Sequence, residues 1–143
     1  MAETNAATTV EFELVSPQKL VVSEPVEMVV VPGAEGGIGV LPGHSPLIAT
    51  VRPGVIDIHE AGKVKERIFV GGGFAEVSPE RCTVLAEEAT AVGDIDRSAA
   101  ETRLSDAKQA LEGADEGATA EAERQIAIAE GLLAAADGAS AGN

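Results

Sequence analysis

Several residue types are scarce or missing from this chain of 143 residues. It has no Trp, no Tyr and only three Phe, so it cannot build the aromatic platform on which single-stranded nucleic acids stack. Its 10 basic residues stand against 24 acidic ones, a net charge of −14. A chain this acidic repels phosphate backbones and anionic lipids. We therefore expect neither nucleic-acid binding nor direct attachment to a membrane by charge.

Long apolar runs and cysteines are also scarce. No apolar run approaches the ~18 to 20 residues that cross a bilayer, and the first nine residues, MAETNAATT, lack the basic and apolar regions of a secretory signal. These absences predict a protein that acts in the cytoplasm. The one cysteine, Cys82, excludes an internal disulfide. We expect it to be a buried strand residue and not a nucleophile.

The composition changes abruptly at Gly93. Residues 1–93 hold all seven Pro, all three Phe and 16 Val, whereas residues 94–143 have none of these and 15 Ala. Such a change indicates a β unit followed by an α unit. We predict an α+β protein with an all-β N-terminal sandwich of about ten short strands at 10–92. An antiparallel two-helix hairpin follows at 93–137, and disordered tails occupy 1–9 and 138–143.

Alternating and continuous apolar runs predict the strands of the sandwich. Residues 10–15 and 55–59 alternate with period 2, and residues 26–31 form the continuous apolar run of a sheet interior. Residues 32–55 pack four Pro and six Gly into 24 positions, which allows very short strands and tight turns but no long helix. The glycine run 71–73 predicts a bulge or bend that breaks the ladder.

The alanine-rich end carries the period of helices. One face of the first helix is marked by Ala100, Leu104, Ala107 and Leu111. Asp94 or Asp96 is expected to be its N-cap, and residues 113–117 end it. Thr119 is expected to cap the second helix. The stripe of the second helix is Ala122, Ile126, Ala129, Leu133 and Ala136. So few large apolar residues predict a weakly held pair that needs a surface to lie against.

Three motifs stand in order along the predicted sandwich. They are G-x-x-G-x-L-P-G-H-x-P-L at residues 36–47, P-G-x-I at 53–56 and G-G-x-x-E-V at 72–77. In this order and at these spacings they resemble the epsilon subunit of bacterial F-type ATP synthases, which is called delta in mitochondria. The resemblance runs from about Phe12 to Arg103, and the helical hairpin follows where the family has one.

The resemblance implies a non-catalytic subunit of the central stalk, part of the rotor of a proton-translocating ATP synthase. One side of the sandwich would hold the gamma subunit and the loops at one end would rest on the c-ring, so that proton-driven rotation is coupled to ATP synthesis. The chain would lie at the cytoplasmic face of the inner membrane, associated with it only through the complex. By position, the c-ring contacts would be Glu35, Gly36, Gly37, Ile38, Gly39, Leu41, Pro42 and His44. Gly37 replaces a second acid that some relatives carry, so any charge contact would rest on Glu35.

The resemblance also covers the hairpin, which in this family is either folded on the sandwich or extended along gamma toward the alpha/beta catalytic head, where it inhibits ATP hydrolysis. Some members bind ATP through an I/L-D-x-x-R-A motif. Here Ile95 and Asp96 remain but Ala99 replaces the arginine, and Arg97 and Arg103 are expected elsewhere on the helix. We therefore expect no ATP cofactor. Residues 94–143 hold four basic and eleven acidic residues, which predicts weak inhibition.

Other chemistry finds little support in the sequence. His44, Asp57 and Ser78 lack the G-x-S-x-G elbow of a hydrolase, and the spacing of the histidines and Cys82 does not suit a metal. We expect no catalytic residue and no metal ligand. The alternative function is a free-standing acidic sandwich with a helical arm, a regulatory module that binds a basic partner or a nucleotide.

Overall fold

The computed structural model describes residues 8–138, so the predicted tails at 1–9 and 138–143 lie almost wholly outside the described residues. The sheet comes first and the helices last, which confirms the predicted α+β class. The strands are β1 (Val10–Val15), β2 (Leu20–Val26), β3 (Met28–Gly33), β4 (Gly36–Val40), β5 (Leu47–Glu60), β6 (Lys63–Val77), β7 (Arg81–Ala86) and β8 (Ala89–Ala91). The helices are α1 (Arg97–Glu112) and α2 (Glu116–Ala136).

The eight strands found in residues 8–138 are fewer than the roughly ten predicted, because β5 and β6 are long. They have 14 and 15 residues and pair around the two-residue turn Ala61–Gly62. The glycine run lies inside β6, where Gly71 pairs with Pro53 and Gly73 pairs with Val51. On the β5 side the ladder therefore continues across the run. On the other side the partner changes from β8 at residues 68–70 to β7 at residues 73–77, so the predicted break is found on that side only. Gly72 and Gly73 have positive φ angles, which favour a bend of the strand at this point.

The bent β5–β6 hairpin serves both layers of the sandwich. The strand order is β2-β1-β7-β6-β5-β3-β4, with β8 beside β6. Residues 73–77 of β6 pair with β7, whereas residues 68–70 pair with β8, and β3 pairs with β5 mainly near residues 57–59. The side chains enclosed between the layers include Phe12, Leu14, Val29, Val31, Val40, Ile56, Ile58, Ile68, Val70 and Val84. Their alternation along each strand is the period that the sequence shows.

Aspartates begin both helices. Asp96, one of the two predicted caps, accepts a hydrogen bond from the Ala99 amide at 3.0 Å. Asp115 does the same for α2, with the Ala118 amide at 3.0 Å. The prediction of Thr119 as the cap is wrong. Thr119 lies in the first turn of α2, where its hydroxyl donates to the Asp115 carbonyl. The helix starts before Thr119 because Asp115, which also has a short acceptor side chain, comes earlier in the chain.

The hairpin lies against the outer face of β5 and β6, as a pair in need of a surface should. On α1 the predicted stripe is turned inward, with Ala100 and Ala107 buried. On α2 the predicted Ala136 is exposed, and the sequence reading missed a second buried face. That face forms one cluster with two strand residues and one residue of α1: Ile128, Leu132 and Ala135 of α2, Val55 and Phe69 of the strands, and Ala100 of α1.

Candidate partner-binding surfaces

Four of the residues predicted to meet the c-ring line one groove. Residues 35–38 form one wall of this groove, and residues 47–50 of β5 form the other. Its volume is about 530 Å³. The Ala34 amide donates to the Thr50 carbonyl at 2.9 Å, which ties the β3–β4 turn to β5. Glu35 is the one charged side chain among the lining residues.

The other four predicted residues do not line this groove. Leu41, Pro42 and His44 follow the far end of β4, a strand of five residues and thus about 16 Å long. The Gly43 amide donates to the Pro79 carbonyl at 2.8 Å and packs this loop on the β6–β7 turn. His44 is a turn histidine, since its Nδ1 lies 2.7 Å from the Ser45 carbonyl. Gly39 lies within β4 between the two sets.

A bare apolar face covers three neighbouring strands. Ile48 of β5, Phe74 of β6 and Leu85 of β7 are 74%, 59% and 55% exposed. Phe74 is paired with Leu85 in the ladder, and both side chains line shallow hollows of about 190 and 330 Å³. We call Ile48, Phe74 and Leu85 the bare face. Large apolar side chains grouped in this way on a surface mark a site of protein contact.

The bare face was not predicted from the sequence, although the strand pattern at Phe74 contains a signal for it. In Phe74-Ala75-Glu76-Val77 the buried residues are Ala75 and Val77. Phe74 therefore lies in phase with Glu76, on the side that alternation assigns to solvent. Together with the exposed Ile48 and Leu85, a phenylalanine in the polar phase of the strand forms the kind of apolar patch that marks a contact site.

The residues of the nucleotide motif border a small cavity. Ile95, Asp96, Ala99 and Arg103 are among the residues that line it, and its volume is about 180 Å³. The prediction that Arg103 lies elsewhere on the helix is wrong, because residues four apart share a helix face. Arg97 lies outside the cavity and pairs with Glu101 and Asp137.

The cavity is small and most of its charged lining residues are acidic. It is smaller than the about 300 to 1,000 Å³ of ordinary ligand pockets, and Glu88, Asp94 and Asp96 place three carboxyl groups on its lining. Arg103 is the one cation there, and both of its terminal nitrogens donate to Glu88, at 2.8 and 2.9 Å. Hydrogen bonding to this carboxylate raises the pKa of Arg103. The arginine is thus already bound to an anion of the chain itself.

The residues considered for other chemistry lie apart. Asp57 pairs with Arg67 at 3.2 Å, and the Ser78 hydroxyl bonds within its own turn. Cys82 is fully buried, as predicted, and burial raises the pKa of its thiol to about 12. In residues 8–138 no three His, Cys, Asp or Glu side chains are placed to hold a metal ion. No helix in this part of the chain has the length and apolarity to cross a membrane.

Known proteins assign the chain to a family. Residues 9–92 match the family described as ATP synthase, Delta/Epsilon chain, beta-sandwich domain. The chain belongs to this family. It is 56% identical to an ATP synthase epsilon chain of Rhodospirillum rubrum over 92% of its own length and 99% of that protein. An ATP synthase epsilon chain of Paramagnetospirillum magneticum is also 56% identical, over 90% of this chain and 98% of that protein.

A solved structure agrees with the family assignment. The fold superposes with a TM-score of 0.78 on a chain of the Euglena gracilis mitochondrial ATP synthase OSCP/F1/c-ring assembly, at 26% identity. The match covers 94% of this chain and 85% of that one. Members of the delta/epsilon family are subunits of the ATP synthase, so this protein is part of that complex and not an enzyme by itself. Family membership favours the rotor hypothesis over a free-standing regulatory module.

Proposed function

We propose that this subunit links gamma to the c-ring in the central stalk of a proton-translocating F-type ATP synthase and carries proton-driven rotation toward ATP synthesis. The bare face of Ile48, Phe74 and Leu85 is the observation that carries the proposal. Exposure of three large apolar side chains to water is unfavourable. Burying each of them against a partner would contribute about 1 to 2 kcal/mol to the free energy of binding. We assign this face to gamma.

The c-ring contact is assigned to the β3–β4 turn, the wall of the groove that faces residues 47–50. Glu35 lies on an exposed turn that hydrogen bonds to β5, and β5 belongs to the core hairpin of the sandwich. A force on the turn is therefore passed to the sheet and not absorbed by a free loop. The loop at residues 41–46, fixed to the β6–β7 turn, is a second contact on the same partner. This position would place the chain at the cytoplasmic face of the inner membrane, through the complex alone.

The hairpin is assigned a weak inhibitory role and no nucleotide. Arg97, Arg103 and Arg124 are engaged with carboxylates, and Lys108 is the remaining basic residue of the hairpin. An extended hairpin would bring a surplus of acids to the catalytic head. Ending the chain after Val92 should therefore change ATP hydrolysis by the whole complex only slightly.

The test of the gamma assignment is Phe74→Asp in the complete complex. A carboxylate at the centre of the bare face would have to be buried without a partner, which costs several kcal/mol. We expect complexes isolated from membranes to hold much less of this subunit relative to gamma, and ATP-driven proton pumping to fall with it.

Val64→Asp is the matched control. Val64 is also an exposed apolar residue of β6, at 45%, but it lies near the Ala61–Gly62 turn and away from the bare face. This variant should remain in the complex in equal amount to gamma. Melting curves of the two free variants separate a binding defect from a folding defect. Full retention of a folded Phe74→Asp chain would refute the assignment.

A further inference from the structure

Two consecutive glutamates connect the sheet to the hairpin. Glu87 and Glu88 lie between β7 and β8, and their backbone is fixed to the glycine run of β6. The Glu87 amide donates to the Gly72 carbonyl at 2.9 Å, and the Gly71 amide donates to the Glu88 carbonyl at 2.9 Å. The two carboxylates therefore project from the rigid part of the molecule, with little freedom left to lose on binding a cation.

Each carboxylate holds one arginine of the hairpin. Glu88 accepts both terminal nitrogens of Arg103 from α1, a two-pronged geometry, and each side chain is only 33% exposed. Glu87 pairs with Arg124 from α2. The sheet is thus bonded to both helices at neighbouring positions.

The two pairs are joined into one network within the hairpin. Arg103 also donates to the Gln125 side-chain oxygen at 2.9 and 3.1 Å. Gln125 donates to Glu121 at 2.9 Å, and Glu121 accepts two bonds from Arg124 at 3.1 Å. Hydrogen bonding from Arg124 lowers the pKa of Glu121. Since each arginine is positioned by a neighbour on the hairpin, the pairs are better ordered than isolated surface pairs, which contribute little.

Space for the contact depends on Gly71. A Cβ atom at this position would lie 2.6 Å from Cγ of Glu88 and 3.2 Å from its Cδ. The missing side chain lets the glutamate lie flat on β6 with its carboxylate toward Arg103. The glycine run therefore has a second effect beside bending the strand, since it sets the position of this anion.

We propose that Glu87 and Glu88 form an internal anionic latch that holds Arg103 and Arg124, and with them the whole hairpin, in the folded position on the sandwich. The Glu88 carboxylate binds Arg103, the one cation of the cavity beside the nucleotide motif. The latch therefore closes without a nucleotide. The inference goes beyond the proposed rotor function, because it concerns what keeps the two parts of this chain together.

Hydrogen exchange of the α2 amides in the full-length free chain tests the latch. Glu88→Gln should speed exchange at residues 126–136 about tenfold, the ratio that 1.4 kcal/mol of lost pairing gives. The β1 amides, Val10–Val15, should be unchanged. Glu80→Gln is the control. It removes an exposed acid that is in no ion pair of residues 8–138, and it should leave α2 exchange as in the original chain.

Two further readouts are the energetic coupling between Glu88 and Arg103 and the screening of their interaction by salt. Arg103→Gln should match Glu88→Gln, and the double variant should exchange no faster than either single one. Raising salt from about 0.01 M to about 1 M shortens the range of charge interactions from about 30 Å to 3 Å. It should therefore speed α2 exchange in the original chain and have a smaller effect in the double variant. Additive single effects, or equal salt effects, would overturn the latch.

A variant with every charge intact gives an independent check. Gly71→Ala displaces the Glu88 side chain and should speed α2 exchange, while the β1 amides report any general loss of sheet stability. Magnesium ATP added to the original chain should leave α2 exchange unchanged. Protection by ATP would overturn the proposal that the carboxylate takes the place of a ligand. None of these readouts depends on gamma or the c-ring, so the latch and the rotor assignment can fail separately.

Discussion

Two parts of the β5–β6 hairpin differ in whether their outer surface is covered. At one end Phe69 of β6 lies under the helices and is 0% exposed. Five residues later Phe74 stands in the bare face, 59% exposed. Between them lies the glycine run that bends the strand. One outer face of the sheet is covered by the chain's own helices, and the other is left open for a different molecule.

The two faces differ because one makes contacts within the chain and the other is available for contacts with another molecule. A face that the chain covers itself can be held by a small apolar cluster together with ion pairs, since the helices are tethered and lose little freedom on docking. A face for another subunit has to compensate for the entropy of association. Large side chains such as those of Ile48, Phe74 and Leu85 supply the apolar area for that, and being largely exposed they contribute little to the stability of the free chain.

Removing each phenylalanine in turn is the strongest test of the comparison. Phe69→Ala should lower the free energy of unfolding of the free chain by about 3 to 5 kcal/mol, because it leaves a cavity between the sheet and α2. Phe74→Ala should lower it by less than about 1 kcal/mol, since the ring is already in water. Urea unfolding followed by circular dichroism measures both. Similar losses for the two variants would show that both faces contribute equally to the stability of the free chain, against the comparison.

Substituting the glycines that allow the bend between the two faces should have the next largest effect on the free energy of unfolding. A Cβ on Gly73 would lie 2.0 Å from the Leu85 carbonyl oxygen, and its φ is +143°. Gly73→Ala should cost about 3 kcal/mol or more, since clash and backbone strain add. Gly36 has a similar φ of +136° with open space around it, so Gly36→Ala should cost only the strain, about 1 to 2 kcal/mol. Equal costs would show that the close approach of β6 to β7 does not matter.

Local pattern predicted most elements of this fold but not the way in which they meet. The alternation of residues 10–15 and the capping aspartate Asp96 depend on neighbours in sequence, and the structure has them as expected. The predicted stripe of α2 describes one packing face. The helix packs on both α1 and the sheet, so Ile128 and Leu132 are buried beside the predicted Ala129.

The candidate surfaces were predicted in part for the same reason. The motif at 36–47 pointed to the β3–β4 turn and the β4–β5 loop, and it could not show that β4 holds them apart. Arg103 was expected elsewhere on the helix face than the motif position Ala99, and in the structure both residues line the same cavity. Its partner Glu88 is distant in sequence, and no local pattern reveals a pair that only the folded chain brings together.

Thiol chemistry on β7 compares the bare face with the interior. Cys82 points into the core, and Leu85 points outward on the same strand. In the free chain at neutral pH, a cysteine introduced by Leu85→Cys in a Cys82→Ala background should react at once with a thiol reagent. Cys82 of the original chain should react only when the protein unfolds. In the assembled complex the cysteine at position 85 should be protected, if gamma covers the bare face.

The same thiol links stability to pH in a direction that can be worked out. Burial raises the pKa of Cys82 from 9.0 to about 12, so the unfolded chain loses this proton first as the pH rises. Above pH 9 the folded state binds more protons than the unfolded state, and stability falls toward pH 12. At pH 9.5 the loss from this group should be under about 1 kcal/mol, and Cys82→Ala should remove it. Urea midpoints of the two chains at pH 7.5 and 9.5 give the difference. Equal slopes would mean that the Cys82 thiol ionises as readily in the folded chain as in the unfolded one, and that the core at β7 is as open to water as the bare face beside it.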